Sequence, residues 1–134
     1  MTQAQVARAT IGAIAPFFVV SNVSRTVAFY CEKLGFEAMY KEPENDPFFA
    51  IVRRDNVMIF MKSVADIPPM PNSSRHPWIK WDTYLYVPDP DALAVEFEAA
   101  NVTFCKPLGI TSENLLGFEI ADPDGYTLFF GRPN

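Results

Sequence analysis

The most informative stretch of the chain is residues 15–36, which read APFFVVSNVSRTVAFYCEKLGF. The start of this stretch is apolar and rich in Phe and Val, and it predicts a β-strand over Ile14–Val20. After a short polar turn, Ser24 is expected to cap a helix over Arg25–Leu34, in which apolar residues recur at three- and four-residue steps. Gly35 follows directly and is the usual residue at a helix end. The stretch therefore predicts a strand, a helix and a stop.

The same order of elements occurs twice along the chain. In the first half, three short strands are predicted after the helix, with a tight turn at Asp55-Asn56: Phe36–Lys41, Pro47–Arg53 and Val57–Lys62. In the second half, a turn over 88–91 with an Asp cap at Asp91 leads into a helix that Asn101 ends, and Asp122-Pro-Asp-Gly forms a hairpin turn. The helix and strands predicted there are Ala92–Ala100, Thr83–Val87, Val102–Lys106, Leu115–Ala121 and Tyr126–Phe130.

This repetition predicts an α+β fold made of two βαβββ modules. Residues 1–12 are expected to be a flexible N-terminal tail, and residues 13–134 a single domain. Within that domain, module one covers 13–63, a Pro-rich linker covers 64–80 and module two covers 81–132.

Three motifs resemble the vicinal-oxygen-chelate superfamily of glyoxalases, bleomycin-resistance proteins and extradiol dioxygenases. Residues 15–36 resemble its opening strand and FYxxxLGF helix, residues 83–93 its second opening strand, and residues 122–126 its closing DPDG hairpin. The resemblance implies a curved mixed sheet that forms a cleft, and a homodimer with the pocket near the subunit interface. It also implies either metal-dependent enzymes, such as lactoylglutathione lyases and dioxygenases, or metal-free antibiotic-resistance proteins. The opening Ala15-Pro16 is similar to that metal-free branch.

Composition argues against several partners. The net charge is −5 and no basic run is present, so we expect no nucleic-acid partner. No apolar segment approaches the length of a membrane span, and residues 1–10 lack an apolar signal-peptide core, so we expect a cytoplasmic protein without a membrane partner. Cys31 and Cys105 are expected to be reduced thiols.

The residues at the family's metal positions are unusual. The resemblance places the ligands at Ala15, Phe60, Asp82 and Phe129, and of these only Asp82 has a side chain that coordinates metal. A one-residue shift in register brings in no usual ligand, and the single histidine, His76, lies in the linker. We therefore predict no metal and no cofactor.

Alternate residues of a strand face the same side, so the residues that share parity with these positions are expected to line the cleft. The predicted ligand-binding residues are mostly aromatic, with Asp82 as the one acidic group: Phe17, Phe60, Trp78, Trp81, Asp82, Tyr84, Tyr86 and Phe129. Such a surface favours a planar or cationic aromatic molecule. The alternative is that the aromatic side chains only fill the cavity and pack a dimer interface.

Three functional hypotheses follow. The first is metal-free binding or sequestration of a small molecule, without catalysis. The second is a metal-dependent lyase, isomerase or dioxygenase of the glyoxalase type. The third is metal-independent acid–base catalysis, for which Asp82 is the weak catalytic candidate, followed by Glu119.

Overall fold

The structure is a computed structural model that describes residues 5–134. Along the chain it contains the elements β1 (Phe17–Val19), α1 (Val23–Leu34), β2 (Glu37–Glu42), β3 (Phe49–Arg54), β4 (Val57–Lys62), β5 (Thr83–Tyr86), α2 (Pro90–Ala99), β6 (Phe104–Ile110), β7 (Leu115–Ala121) and β8 (Thr127–Pro133). One turn of 3₁₀-helix (Asn72–Ser74) interrupts the linker.

The strands form two sheets of four, with the orders β1-β4-β3-β2 and β5-β8-β7-β6. In each sheet the first strand of a module lies parallel to its last strand, and the other neighbours are antiparallel. The two modules therefore have the same topology, which confirms the predicted α+β fold with two βαβββ units.

Both helices begin two residues earlier than predicted. Asn22, not Ser24, caps α1 by accepting a hydrogen bond from the backbone N–H of Arg25. Asp89, not Asp91, caps α2 in the same way, and Pro90 takes the first helical position, where no backbone N–H is needed. Each cap directly precedes the first helical residue and satisfies one of the open backbone N–H groups of the first turn.

The strand predicted over Ile14–Val20 is shorter in the structure. Strand β1 pairs with β4 over three residues only, from Phe17 to Val19. Pro16 accepts a backbone hydrogen bond from Phe60, but residues 5–14 are exposed and form no ladder. No neighbouring strand is available there within the described residues, so the apolar pattern alone does not make a strand. The tail over 1–12 stays a prediction, and residues 1–4 lie outside the described residues.

The side chains that face the helices form one core shared by both modules. Phe18 from β1 stacks on Tyr126 next to β8, with ring centroids 4.3 Å apart. Tyr30 from α1 and Phe97 from α2 are fully buried in the same cluster. Because the helix-covered faces of both sheets meet in this core, their opposite faces point away from it.

None of the helices within residues 5–134 is long and apolar enough to span a membrane.

Candidate functional site

An exposed aromatic surface covers the outer face of the first sheet. It consists of Phe17, Tyr40, Phe49 and Phe60, and each ring has a neighbour with centroids 5.9 to 6.1 Å apart. Phe17 is 58% exposed and Tyr40 is 48% exposed. We call this surface the first aromatic face.

The outer face of the second sheet carries a tighter arrangement. The indole of Trp81 stacks on the ring of Phe129 with centroids 4.1 Å apart and planes 24° apart. Tyr84, on β5, stacks beside Phe129 at 5.6 Å. Phe129 is 1% exposed, whereas Trp81 is only half-buried, so Trp81 forms the outer layer.

Two glycines make room for this stack. Gly117 on β7 and Gly131 on β8 are register partners, and the ring of Phe129 lies over both. A Cβ at Gly117 would lie 2.6 Å from the Phe129 ring, and a Cβ at Gly131 would lie at the same distance from it. Any larger residue at either position would displace the ring, so the sheet backbone, Phe129 and Trp81 form three successive layers.

The indole of Trp81 is held by a carboxylate. Its Nε1–H donates a hydrogen bond to Oε2 of Glu119, at 3.0 Å. Glu119 is 6% exposed and pairs with Phe129 across β7 and β8. Among residues 5–134 the Glu119 carboxylate accepts no second hydrogen bond, although the side chain lines an open cavity.

That cavity has a volume of about 850 Å³, and we call it the Trp81 cavity. Its walls come from the linker, β6, the β6–β7 turn and the centre of β7. The charged groups that line it are Lys80, Lys106, Glu113 and Glu119. Of these only Glu119 is buried, so it is the charge least screened by solvent. The volume lies within the usual range for small-molecule sites.

Asp82 has a different environment from Glu119. Its Oδ1 accepts from the backbone N–H of Asn72 at 2.7 Å, and its Oδ2 accepts from that of Thr127 at 2.8 Å. Both carboxylate oxygens are engaged by backbone groups, and Asp82 thereby ties the linker to β8. A catalytic role for Asp82 stays a prediction.

The residues at the family's metal positions do not fit a metal ion. Ala15 lies before β1 and has no donor atom, Phe60 belongs to the first aromatic face, and Phe129 is buried under Trp81. Nowhere in the described part of the chain do three or more His, Cys, Asp or Glu side chains come together as a metal-binding group. We therefore derive no chemistry through a metal.

The structure brings only some of the predicted ligand-binding residues together. Trp78, Trp81 and Phe129 line the Trp81 cavity, and Tyr84 packs beside them. The others lie elsewhere: Phe17 and Phe60 on the first aromatic face, and Tyr86 at a smaller cavity between the modules.

Sequence reasoning missed Gly117 and named Glu119 only as a minor catalytic candidate. Alternation along β7 places Gly117 and Glu119 on one face, which is a signal that the sequence contains. The pairing of Glu119 with Phe129 depends on the register of β7 and β8, which the sequence does not show.

Two βαβββ modules with a concave aromatic site are characteristic of one class of protein, and a match to a family model identifies the same class. Residues 10–130 match the Glyoxalase/Bleomycin resistance protein/Dioxygenase superfamily, and the chain belongs to this family. No curated protein matches the sequence significantly.

Several solved structures have the same fold. TioX from Micromonospora sp. ML1 superposes with a TM-score of 0.70 at 15% identity, covering 90% of this chain and 98% of its own. The bleomycin-binding protein of Streptomyces verticillus, solved with copper(II)-bleomycin, gives 0.68 at 24% identity and covers 96% and 100%. The antibiotic-binding protein TnmS3 from Streptomyces sp. CB03234 gives 0.64 at 19% identity and covers 97% and 100%. At these identities the likeness establishes the fold alone.

Proposed function

We propose that this protein binds and sequesters a planar, cationic aromatic small molecule in the Trp81 cavity, without a metal and without catalysis. The observation that carries the proposal is the layered stack of Phe129 and Trp81, held by the buried carboxylate of Glu119. An aromatic ring at the family's metal position replaces a coordination site with a stacking surface.

The stack favours a planar ligand. One face of the Trp81 indole is covered by Phe129, and the indole also lines the cavity, so its other face is the surface offered to a ligand. The hydrogen bond to Glu119 fixes the rotation of the indole. Because the indole is already fixed before binding, less side-chain entropy is lost when a ligand stacks on it.

The charge favours a cation. A buried carboxylate is poorly solvated and gains more from a nearby positive charge than an exposed one does. Glu119 is such a group, whereas the lysines of the cavity are exposed. The aromatic walls add cation–π attraction.

We further propose that the protein acts as a homodimer in which each cavity is completed by the partner copy. The first aromatic face exposes several adjacent rings, which is uncommon on a monomeric protein. A two-fold dimer would place the first aromatic face of one copy against the Trp81 cavity of the other, twice over.

Two proteins of the same fold support this proposal, since one is a bleomycin-binding protein and the other is an antibiotic-binding protein. Antibiotic resistance by sequestration, in the cytoplasm, is the biological setting that we propose with it.

The ligand proposal is tested with a matched pair of probes, N-methylphenanthridinium and neutral phenanthridine, which share one planar ring system. In the variant Trp78→Phe, Trp81 is the remaining tryptophan, so its fluorescence reports on the cavity directly. We expect saturable quenching by both probes, with the cation bound about tenfold more tightly, which corresponds to ~1.4 kcal/mol. Glu119→Gln keeps an acceptor for the indole but removes the charge, and should abolish this preference.

Glu113→Gln is the matched control, because Glu113 lines the same cavity but is exposed. It should keep the preference for the cation. Equal binding of the two probes in the wild type would refute the role of Glu119, and no quenching by either would refute the site. Stoichiometric Ni, Zn, Fe or Mn in the purified protein, together with turnover of a glyoxalase-type substrate, would favour the metal-dependent alternative.

The dimer is tested separately by sedimentation equilibrium. Phe17→Glu adds a charge to the first aromatic face and should shift the protein to monomer, whereas Val95→Glu, at an exposed site on α2, should not. A wild-type protein that is monomeric yet binds the cationic probe would overturn the dimer and leave the ligand site standing.

A further inference from the structure

Because the two modules repeat one topology, the core between them has two equivalent ends, where the same elements of each module meet. The residues at these two ends can be compared position by position. The helix caps Asn22 and Asp89 occupy equivalent positions, each four residues after an inward-facing strand residue, Phe18 or Leu85. The register of each parallel pair then makes Val57 the equivalent of Tyr126, since Phe60 and Phe129 follow them by three residues.

At one end of the core, these equivalent positions are filled by two large rings. Phe18 and Tyr126 stack almost in parallel, with planes 9° apart, and both are at least 94% buried. The hydroxyl of Tyr126 donates to the carbonyl of Val19 at 2.7 Å. A phenol ring therefore closes the junction between the hairpin of module two and the first strand of module one.

At the other end, the same positions hold smaller side chains and a cavity. Leu85 and Val57 stand where Phe18 and Tyr126 would be, and both line an open space of about 360 Å³. The large apolar side chains that also line it include Phe36, Leu93, Phe97 and Phe130. The cavity lies between the β3–β4 hairpin of module one and the start of α2, and it does not share residues with the Trp81 cavity.

The rim of this cavity is acidic. Asp55, Asp89 and Glu96 contribute three carboxylates against the single guanidinium of Arg54. Arg54 is already committed, because it forms two hydrogen bonds to Glu96, at 2.7 and 2.9 Å, and a third to the carbonyl of Leu34. Nε of Arg54 also lies 3.9 Å from Oδ2 of Asp55, but three carboxylates face this one guanidinium, so the rim keeps a net negative charge and favours a ligand with a positive charge.

We propose that this inter-module cavity binds a second, smaller ligand: a single phenyl or phenol ring carrying an alkylamine. The ring would occupy the space that the Tyr126 ring fills at the equivalent junction, and the ammonium group would face Asp55 and Asp89. This site is independent of the proposed Trp81 site, in both its lining residues and the size of its ligand.

The test uses tyramine as the probe and 3-(4-hydroxyphenyl)propionate as its control, because the two share a phenol ring and differ in charge. Titration of ¹⁵N-labelled protein should shift the backbone amides of Val57, Leu85 and Ala92 with a dissociation constant on the order of 1 mM. The propionate should bind several-fold more weakly, and added salt should reduce this difference. Tyramine shifts confined to the Trp81 cavity, or an absence of shifts, would overturn the proposal.

Val57→Tyr introduces into the cavity the kind of ring that Tyr126 provides at the equivalent position of module two. The variant should therefore give no tyramine shifts and should have a higher melting temperature. If that variant does not fold, Ala92→Phe replaces it, since Ala92 is exposed at the cavity mouth and tolerates a larger side chain. Val95→Phe, on the exposed side of the same helix, is the matched control and should keep binding. Tyramine binding that survives in the folded cavity-filling variant would show that the cavity is not the site.

Discussion

The free energy of unfolding of the wild-type protein is expected to fall as the pH rises from about 4 to about 6. Replacement of Asp122 by Asn should abolish this fall. Asp122 is 5% exposed and begins the turn of the closing hairpin. Its Oδ1 accepts from the backbone N–H groups of Asp124 and Tyr126, both at 3.0 Å, and its Oδ2 accepts from the hydroxyl of Tyr30 at 3.2 Å. Burial outweighs these bonds and raises the pKa of Asp122 from 3.8 to about 6.

The direction follows from proton binding. Between pH 3.8 and about 6 the folded protein keeps the Asp122 proton and the unfolded chain does not, so raising the pH favours unfolding. The stabilisation is complete below the unfolded pKa and is lost as the pH rises through the folded pKa. One pKa unit corresponds to about 1.4 kcal/mol, so the shift amounts to about 3 kcal/mol over this interval.

Asparagine preserves the geometry without the charge. Its carboxamide oxygen can accept from the same two backbone N–H groups, and its Nδ2 can donate to the hydroxyl oxygen of Tyr30. Asp122→Asn should therefore be about as stable as the wild type near pH 4 and more stable at pH 7, by up to about 3 kcal/mol.

The assay is urea unfolding of wild type and variant at half-unit steps from pH 4 to pH 7. The difference between the two stability curves isolates Asp122, because the other carboxylates titrate in both proteins. Asp66→Asn, at an exposed linker position, is the control for the loss of one carboxylate. A flat difference for Asp122→Asn, or a variant that is less stable at pH 7 than the wild type, would refute the reasoning.

Three further predictions concern the site and the module interface. Gly117→Ala would place a Cβ 2.3 Å from the carbonyl oxygen of Phe130. It should therefore lower the urea midpoint by an amount equivalent to about 1–3 kcal/mol and weaken binding of the planar probe. An unchanged midpoint would contradict the packing. Glu96→Ala removes a partly exposed pair with Arg54 and should cost less than about 1 kcal/mol, with a smaller cost at 1 M salt; a larger cost that salt does not change would contradict this. Phe129→Glu restores one family ligand but buries a charge, so elemental analysis should find no bound divalent metal and thermal unfolding should shift to lower temperature; stoichiometric metal would contradict the donor count.

The elements that the sequence predicted well are those with local signals. Gly35 and Asn101 end their helices in the left-handed conformation, with φ of 74° and 60°, and Gly125 turns the last hairpin with φ of 89°. These conformations depend on the residue itself and on its immediate neighbours, so they can be predicted without tertiary structure.

The errors arose where a partner decides the structure. Ile14 continues an apolar run, yet no strand pairs with it, and it is 94% exposed. Ser24 and Asn22 are both good capping residues, and only the path of the chain out of β1 selects Asn22. A sequence pattern indicates which structures a segment is compatible with, whereas the pairing of strands in the folded protein determines which of them it adopts.

The types of residue at the candidate site could be predicted from the sequence, but most of the contacts between those residues could not. An aromatic cleft could be expected from alternation along the strands, but the choice between carboxylates could not. Asp82 and Glu119 are both acidic residues next to aromatic ones in the sequence, but the structure gives them different surroundings. Two backbone N–H groups engage Asp82, whereas one indole N–H engages the more deeply buried Glu119. Hydrogen-bond partners from the linker and from β8 are non-local, so no spacing along the chain reveals them.

Phe129, the aromatic residue at a predicted metal position, is accommodated by the residues around it. Phe129 is buried because Gly117 and Gly131 leave room beneath it and Trp81 covers it from above, with Glu119 holding the indole. With a side chain larger than hydrogen at Gly117 or Gly131 the ring would be displaced, so the position of Phe129 depends on both glycines. The Phe129 ring needs the two glycines whether or not a ligand binds, so our proposal of ligand binding rests on the Trp81–Glu119 pair, which covers that ring and lines the cavity.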